Sequence, residues 1–124
     1  MMEHFVRTLL GKDGQKIDVS ISTPIREDGA NGDWQCTYRI AGLGASKEKI
    51  AMGADGIQAF VLALTYLATA LYLSDEFERG ELTWQGGMTA SDLGFPVTDS
   101  IREEVEKRKV SAEKHVVKAR KNLT

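Results

Sequence analysis

The sequence is poor in the side chains from which metal centres and nucleophilic sites are usually built. It contains one cysteine, Cys36, and two histidines, His4 and His115, among 124 residues. A single cysteine cannot form an internal disulfide or a thiolate cluster, and two distant imidazoles are too few for a histidine-based metal site. We therefore expect no metal and no cofactor, and the residues indicate no catalytic group.

Long apolar segments are missing as well. The first residues contain no apolar segment of the signal-peptide type. The most apolar stretch, residues 57–73, is too short and too polar to span a bilayer comfortably. The residues that interrupt it are Gln58, Thr65, Tyr66, Thr69 and Tyr72. The sequence thus predicts a cytoplasmic protein without a membrane segment.

Length and composition are those of one globular domain, with 42% apolar and 27% charged residues. We assign residues 1–97 to an α+β domain and residues 98–124 to a charged C-terminal helix attached to it. The net charge of −2 is unevenly distributed. Residues 1–101 hold 14 acidic and 8 basic side chains, a net charge of −6, whereas residues 102–124 hold 4 and 8, a net charge of +4. An acidic body favours a basic partner.

Four segments have the pattern of β-strands. Residues 4–10 and 16–22 flank an Asp-Gly pair, which favours a tight turn, so they predict a hairpin that Pro24 ends. Residues 34–40 alternate strictly between apolar and polar side chains, and residues 47–52 form a weaker strand. The apolar side of the third strand consists of Trp34, Cys36, Tyr38 and Ile40. Short connections between the strands predict an antiparallel meander with one apolar face.

One long helix is expected to cover this sheet. Asp55 is predicted as its N-cap, with Gln58 in capping-box position, and residues 57–73 are strong helix formers. Apolar side chains spaced three and four apart predict a core-facing stripe. Its members are Ile57, Phe60, Val61, Leu64, Leu67, Ala68 and Leu71. Leu62 and Leu73 lie on the far side, which is available to the last helix or to a second subunit.

The rest of the chain is predicted to be irregular up to a charged helix. Residues 74–80 form an acidic connection, residues 82–84 a short edge strand, and Phe95 turns into the core. Ser100, with a glutamate three residues later, predicts a second capping box and a helix that reaches about Lys121. The fold class is therefore α+β, with an antiparallel meander sheet of about four strands covered by one long apolar helix, plus a charged C-terminal helix.

Two features have some likeness to chemical sites. Gly42-Leu-Gly44 suggests a phosphate-binding glycine loop, but such a loop needs a third glycine and a following helix, and the next segment looks extended. Cys36 is a candidate nucleophile, but it shares the apolar face of a strand, where burial raises the pKa of a thiol. A strand-to-strand loop and a core cysteine are the favoured interpretations.

Four acidic residues are the ones that we expect to bind a partner. They are Asp75, Glu76, Glu78 and Glu81. They lack the spacing and the turn glycine of a calcium loop, but in an exposed connection their carboxylates can meet another surface. A purely solubilising role for these charges stays open. The basic tail has no aromatic residue to stack on bases, so no nucleic-acid partner is expected.

Three landmarks together resemble a small uncharacterised bacterial family, a domain of unknown function. They are the W-x-C-x-Y-x-I pattern at residues 34–40, the G-x-D-x-I-Q-A pattern at residues 53–59 and Asp-Leu-Gly-Phe-Pro at residues 92–96. The resemblance runs from about the first strand to Pro96 and implies no catalytic residue. The general architecture is also similar to that of immunity proteins, which neutralise partner toxins, although no motif carries that likeness.

Two functions follow as hypotheses. The first is a non-catalytic protein-binding module, in particular an immunity-type inhibitor of a partner protein, and not an enzyme. The alternative is a small enzyme or ligand-binding protein with a site near the Gly42–Gly44 and Asp92–Pro96 loops. A homo-oligomer formed through the apolar helix or the C-terminal helix is a further expectation.

Overall fold

A computed structural model describes residues 3–27, 33–44 and 46–122, so the loop expected at residues 26–33 lies partly outside the described residues. The strands are β1 (His4–Leu10), β2 (Lys16–Ser22), β3 (Ile25–Arg26), β4 (Trp34–Ala41) and β5 (Lys47–Gly53). The helices are α1 (Gly56–Tyr72), α2 (Asp75–Glu78) and α3 (Arg102–Asn122). The predicted α+β class and antiparallel sheet are confirmed.

The sheet has five strands rather than four because the chain pairs with β4 again after Pro24, as the short strand β3. Both β2 and the short β3 pair with the same side of β4, and β1 and β5 form the edges. At the break between β2 and β3, the Ser22 hydroxyl accepts a hydrogen bond from the Thr37 N–H group at 2.9 Å. A serine side chain thus replaces the backbone acceptor at this position of the ladder, and the Thr37 amide is satisfied at the break.

The N-terminus of α1 is capped as predicted. The Asp55 carboxylate accepts a hydrogen bond from the Gln58 N–H group at 2.8 Å, and the Gln58 side chain accepts one from the Ala54 N–H group at 2.6 Å. Two amides that the helix itself leaves unbonded are therefore satisfied.

The predicted core stripe of α1 is wrong in its first half. Ile57 and Val61 are 77% and 50% exposed. The buried positions are Ala59, Ala63, Leu67, Ala68, Leu71 and Tyr72. The cause is the close approach of α1 to β5, since a Cβ atom on Gly53 would lie only 2.4 Å from the backbone nitrogen of Ala59. Between the first half of α1 and β5 there is room only for a small side chain such as that of Ala59. The larger side chains of Ile57 and Val61 therefore turn outward.

One helix does not cover the whole sheet, contrary to the prediction. Helix α1 lies over β4 and β5. An irregular segment runs beside β1, where Leu10 and Thr83 exchange two backbone hydrogen bonds in place of the short edge strand expected there. Leu82 and Leu93 from this segment are buried in the core, and Phe95 packs against it as predicted.

The acidic connection contains the short helix α2, which the sequence reading missed. The Ser74 hydroxyl caps it by accepting a hydrogen bond from the Phe77 N–H group at 3.2 Å. Phe77 is fully buried, and its ring meets the Tyr72 ring edge-on at a centroid distance of 5.0 Å. This segment therefore contributes to the core and is not merely a solvated linker.

Helix α3 belongs to the same core, because Val105 and Ala112 are buried in it. The Arg108 guanidinium donates hydrogen bonds to two carbonyl oxygens that follow α1, at 3.2 and 3.4 Å. The helix begins at Arg102, after a 3-10 turn over Asp99–Ile101. The predicted Ser100 cap is therefore wrong, since this residue lies inside the turn.

Candidate functional site

The four acidic residues expected to bind a partner lie on α2 and just after it. They are Asp75, Glu76, Glu78 and Glu81. Three of them form ion pairs within the chain. Arg79 lies 3.0 Å from Glu81 and 3.8 Å from Glu76, and Arg108 lies 3.2 Å from Glu78. Such exposed pairs stabilise little, but they reduce the charge that the carboxylates present to a partner.

The Asp92–Pro96 loop is held by its own carboxylate. Asp92 accepts hydrogen bonds from the N–H groups of Met88 at 3.0 Å and Gly94 at 2.8 Å. These bonds, that of Met88 first, hold the pKa of Asp92 below its ordinary value. The next amide, that of Leu93, donates to the Tyr72 hydroxyl at 2.9 Å. The carboxylate therefore has a structural task, and an ionised group of this kind is a poor general acid or base at neutral pH.

The side chain of Arg7 on β1 holds the Asp92–Pro96 loop against the sheet. Its guanidinium carbon lies 3.8 Å from the centroid of the Trp84 ring and 4.8 Å from that of the Phe95 ring. The same group donates hydrogen bonds to the carbonyl oxygens of Leu93 at 3.2 Å and Gly94 at 2.9 Å. The sequence reading missed Arg7. The available signal was a cation at a position of β1 whose neighbours in the alternating pattern, Phe5 and Leu9, face the side that α1 and the core cover.

Cys36 is a core cysteine, as predicted. Its side chain is fully buried, and its thiol donates to the carbonyl oxygen of Ser22 at 3.2 Å. Burial raises the pKa of the thiol, and the hydrogen bond opposes this only in part. The structure thus keeps Cys36 protonated and shielded, which are poor conditions for a nucleophile. Within the described ranges, no three His, Cys, Asp or Glu side chains converge as a metal site would require.

The Gly42–Gly44 loop leads into an extended strand, as predicted, and not into a helix. Gly42 and Gly44 have φ values of +103° and +68°, which favour glycine. The carbonyl oxygen of Gly42 accepts a hydrogen bond from the Gln15 side chain at 3.1 Å. Because no helix N-terminus follows, the loop lacks the converging amides that bind a phosphate.

The outward side of α1 forms an apolar ridge, which we call the α1 ridge. It consists of the exposed Ile57 and Val61 and of Phe60 and Leu64, which are partly buried and also pack against the core; the four are at the spacing of one helix face. A groove of about 480 Å³ lies on one side and is bordered by Pro24 and Trp34. A second groove of about 310 Å³ lies on the other side, between the ridge, β1 and the Asp92–Pro96 loop.

Phe60 borders both grooves, and the Phe5 ring stands edge-on to it at 6.4 Å. Phe5 is itself 55% exposed. Exposed apolar side chains that adjoin one another, rather than being scattered singly, are typical of interaction surfaces. None of the helices in the described ranges has the combination of length and apolarity that crossing a bilayer requires.

The three sequence landmarks have structural roles. The apolar residues of the pattern at 34–40 are the side chains of β4 that lie in the core or pack against it. The pattern at residues 53–59 supplies the close approach of Gly53 and the Asp55 cap. The pattern at residues 92–96 forms the loop that Arg7 holds. Structural roles therefore account for Gly53, Asp55, Gln58 and Asp92 among the residues that carry the resemblance.

Comparison with known proteins agrees with the resemblance seen in the sequence. No curated protein and no solved structure matches the chain. A family described as a domain of unknown function, DUF6968, matches residues 3–97. The matched range includes the whole sheet, α1, α2 and the Arg7-bound loop, and it ends before α3. The chain therefore belongs to the DUF6968 family.

Proposed function

We propose that this protein is a non-catalytic protein-binding module that binds its partner through the α1 ridge. The observation that supports this most directly is the exposure of Ile57 and Val61 at 77% and 50%. They belong to a regular apolar stripe of the sequence, yet the fold turns them toward solvent. Burying such side chains at an interface would stabilise a complex by about 25 cal/mol for each Å² removed from water, before the costs of association.

The shape of this surface favours an amphipathic helix as the bound segment. The α1 ridge runs between two grooves that share Phe60. A partner helix packs by placing its own ridges into grooves of this kind, with apolar side chains three and four apart. Helix α1 contains no charged residue from Gly56 to Tyr72. We therefore infer that the partner presents an apolar helix face with its charges at the rim.

The acidic residues have a different part in this proposal. Because Glu76, Glu78 and Glu81 have cations of the same chain close by, we assign them to long-range attraction rather than to direct contact. The net charge of −6 over residues 1–101 would speed association with a basic partner, and salt would weaken the effect. An immunity-type inhibitor of a partner protein is the particular form of this function that the architecture suggests.

Binding to a partner in extract of the source cell tests the proposal with two matched variants. Val61→Lys places a charge on the α1 ridge, and Val110→Lys places one on α3 at a valine of similar exposure, 55%. Neither residue is in the core, so both variants should give the circular dichroism and melting curve of the wild type. We expect wild type and Val110→Lys to capture the same protein, and Val61→Lys to lose it. A third variant, with glutamine at positions 76, 78 and 81, should keep the partner but bind it more slowly.

Two results would contradict the proposal. One is capture that Val61→Lys leaves unchanged, and the other is capture that both lysine variants abolish equally. The mass of the pure protein in solution provides a further check. If the wild type is a dimer and Val61→Lys is a monomer, a second copy of this chain occupies the α1 ridge in place of another protein.

A further inference from the structure

A third concave surface lies on the opposite side of α1, between β4, β5 and the second half of the helix. We call it the tyrosine cleft, and its volume is about 450 Å³. Ile40, Leu43 and Ala70 supply apolar walls, whereas Tyr38, Tyr66 and Lys49 bring polar groups. A mostly apolar cleft of about 300–1,000 Å³ with a few polar groups is the usual form of a small-molecule site. The tyrosine cleft shares no lining residue with either groove beside the α1 ridge.

The two aromatic rings are arranged so that a flat molecule can contact them. The centroids of the Tyr38 and Tyr66 rings lie 6.0 Å apart, and the ring planes are tilted by 44°. Tyr66 is 43% exposed, so much of its ring still faces solvent. Aromatic rings prefer offset or edge-on neighbours at centroid distances of about 4.5–7 Å, and a planar ligand in the cleft could adopt such contacts with both tyrosines.

The charged group in the cleft selects the sign of the ligand. Lys49 lines the cleft, and the ion pairs found in the described ranges do not include it. A cation would be repelled, whereas a carboxylate could form a charge-assisted hydrogen bond. Burial, and then the neighbouring Tyr66, raise the pKa of Tyr38, so its phenol stays protonated and can donate as well.

From this geometry we propose that the tyrosine cleft is a binding site for a small planar aromatic carboxylate. The aromatic part of the ligand lies against Tyr38 and Tyr66, and its carboxylate meets the Lys49 ammonium. No bond is made or broken, so the site adds recognition and not catalysis. Because the cleft and the α1 ridge are separate surfaces, the ligand site stands or falls independently of the protein-binding proposal.

A titration of the full-length protein with 2-naphthoate tests this inference, with backbone amide NMR as the readout. Its neutral counterpart, 2-naphthamide, has the same rings without the charge. We expect naphthoate to shift amides around Tyr66 and Lys49, and to bind about tenfold or more tightly than naphthamide, since one charge-assisted hydrogen bond separates them. Lys49→Met should reduce naphthoate affinity to that of naphthamide and leave naphthamide binding unchanged.

Two further variants separate the role of each group. Tyr66→Leu should weaken both probes because it removes a ring, whereas Lys107→Met on α3 should change neither. Lys49, Tyr66 and Lys107 are all exposed, so these variants are expected to fold. The inference is overturned if millimolar naphthoate shifts no amide of the cleft, or if the shifts centre on Phe60. It is equally overturned if Lys49→Met binds naphthoate as well as the wild type does.

Discussion

The close packing of α1 on β5 leads to a sharp prediction about Gly53. A Cβ atom at this position would lie 2.4 Å from the nitrogen of Ala59 and 2.9 Å from its Cα atom. Ordinary contacts of a Cβ atom begin at about 3.4 Å, so Gly53→Ala must push the helix away from the strand by about 1 Å. The obstacle is backbone, which cannot rotate aside as a flexible side chain can.

Overpacking of this kind costs about 1–3 kcal/mol, and we expect the upper part of that range because the helix must move as a unit. Urea denaturation should then give a midpoint lower by about 1 M, with a slope near that of the wild type. Gly56→Ala is the matched control, since its Cβ atom would make ordinary contacts with the Trp34 ring at 3.4 Å and the Pro24 side chain at 3.6 Å, and an alanine favours the helix. It should be neutral or slightly stabilising. An unchanged midpoint for Gly53→Ala would refute the close approach of α1.

Three further predictions concern the core, the cysteine and the Asp92 loop. In a denaturant titration, Val105→Ala should lower the free energy of unfolding by about 1–3 kcal/mol. Val110→Ala, on the exposed side of α3, should change this free energy by less than about 0.5 kcal/mol. Equal effects of the two substitutions would contradict the docking of α3. Cys36 should resist a thiol reagent in the native state and react after denaturation. Asp92→Asn should be less stable than the wild type at neutral pH, with the difference narrowing as the pH falls below the ordinary pKa of 3.8.

The sign of the last effect follows from the direction of the shift. The pKa of Asp92 is lowered in the folded protein, so its ionised form stabilises the fold at pH values above the pKa of the unfolded chain. This stabilisation is lost as the pH falls through the folded-state pKa, where both states become protonated. A difference between Asp92→Asn and the wild type that grows in acid would contradict the hydrogen bonding of this carboxylate.

The strands and the first helix were predictable because their signals are local. The bounds of β1 and β2 agree residue for residue with the prediction, and the Asp55 cap was found from the spacing of two side chains. Alternation and capping depend on neighbours in the sequence, which a single sequence displays.

The orientation of α1 could not be read in the same way. Apolar periodicity gives weight to large side chains, so Ile57 and Val61 were assigned to the core. The side that packs is decided by how closely two backbones can approach, which depends on Gly53 and Ala59 together. A hydrophobic pattern gives little weight to glycine or alanine, so neither residue indicates the packed side. The short helix α2 is not predicted for a different reason, since four residues are too few to show a helical period.

The candidate sites were still harder to predict, because their partners are distant in the sequence. Arg7 bonds to a carbonyl oxygen 86 residues away, and Glu78 meets Arg108 on a different helix. Tyr38 and Tyr66 come together only because α1 crosses β4. The acidic residues lie close together in the sequence, but the basic side chains that pair with them depend in part on tertiary packing.

The outward turn of the α1 ridge can be measured directly with two variants that each add one cysteine. Wild-type Cys36 is buried, so a new cysteine can be followed by its rate of reaction with a thiol reagent in the native protein. Ile57→Cys should react about as fast as an unfolded peptide, whereas Leu67→Cys, at a fully buried position of the same helix, should react only when the protein unfolds. Slow reaction at position 57 together with fast reaction at position 67 would place the ridge in the core and contradict the proposed binding surface.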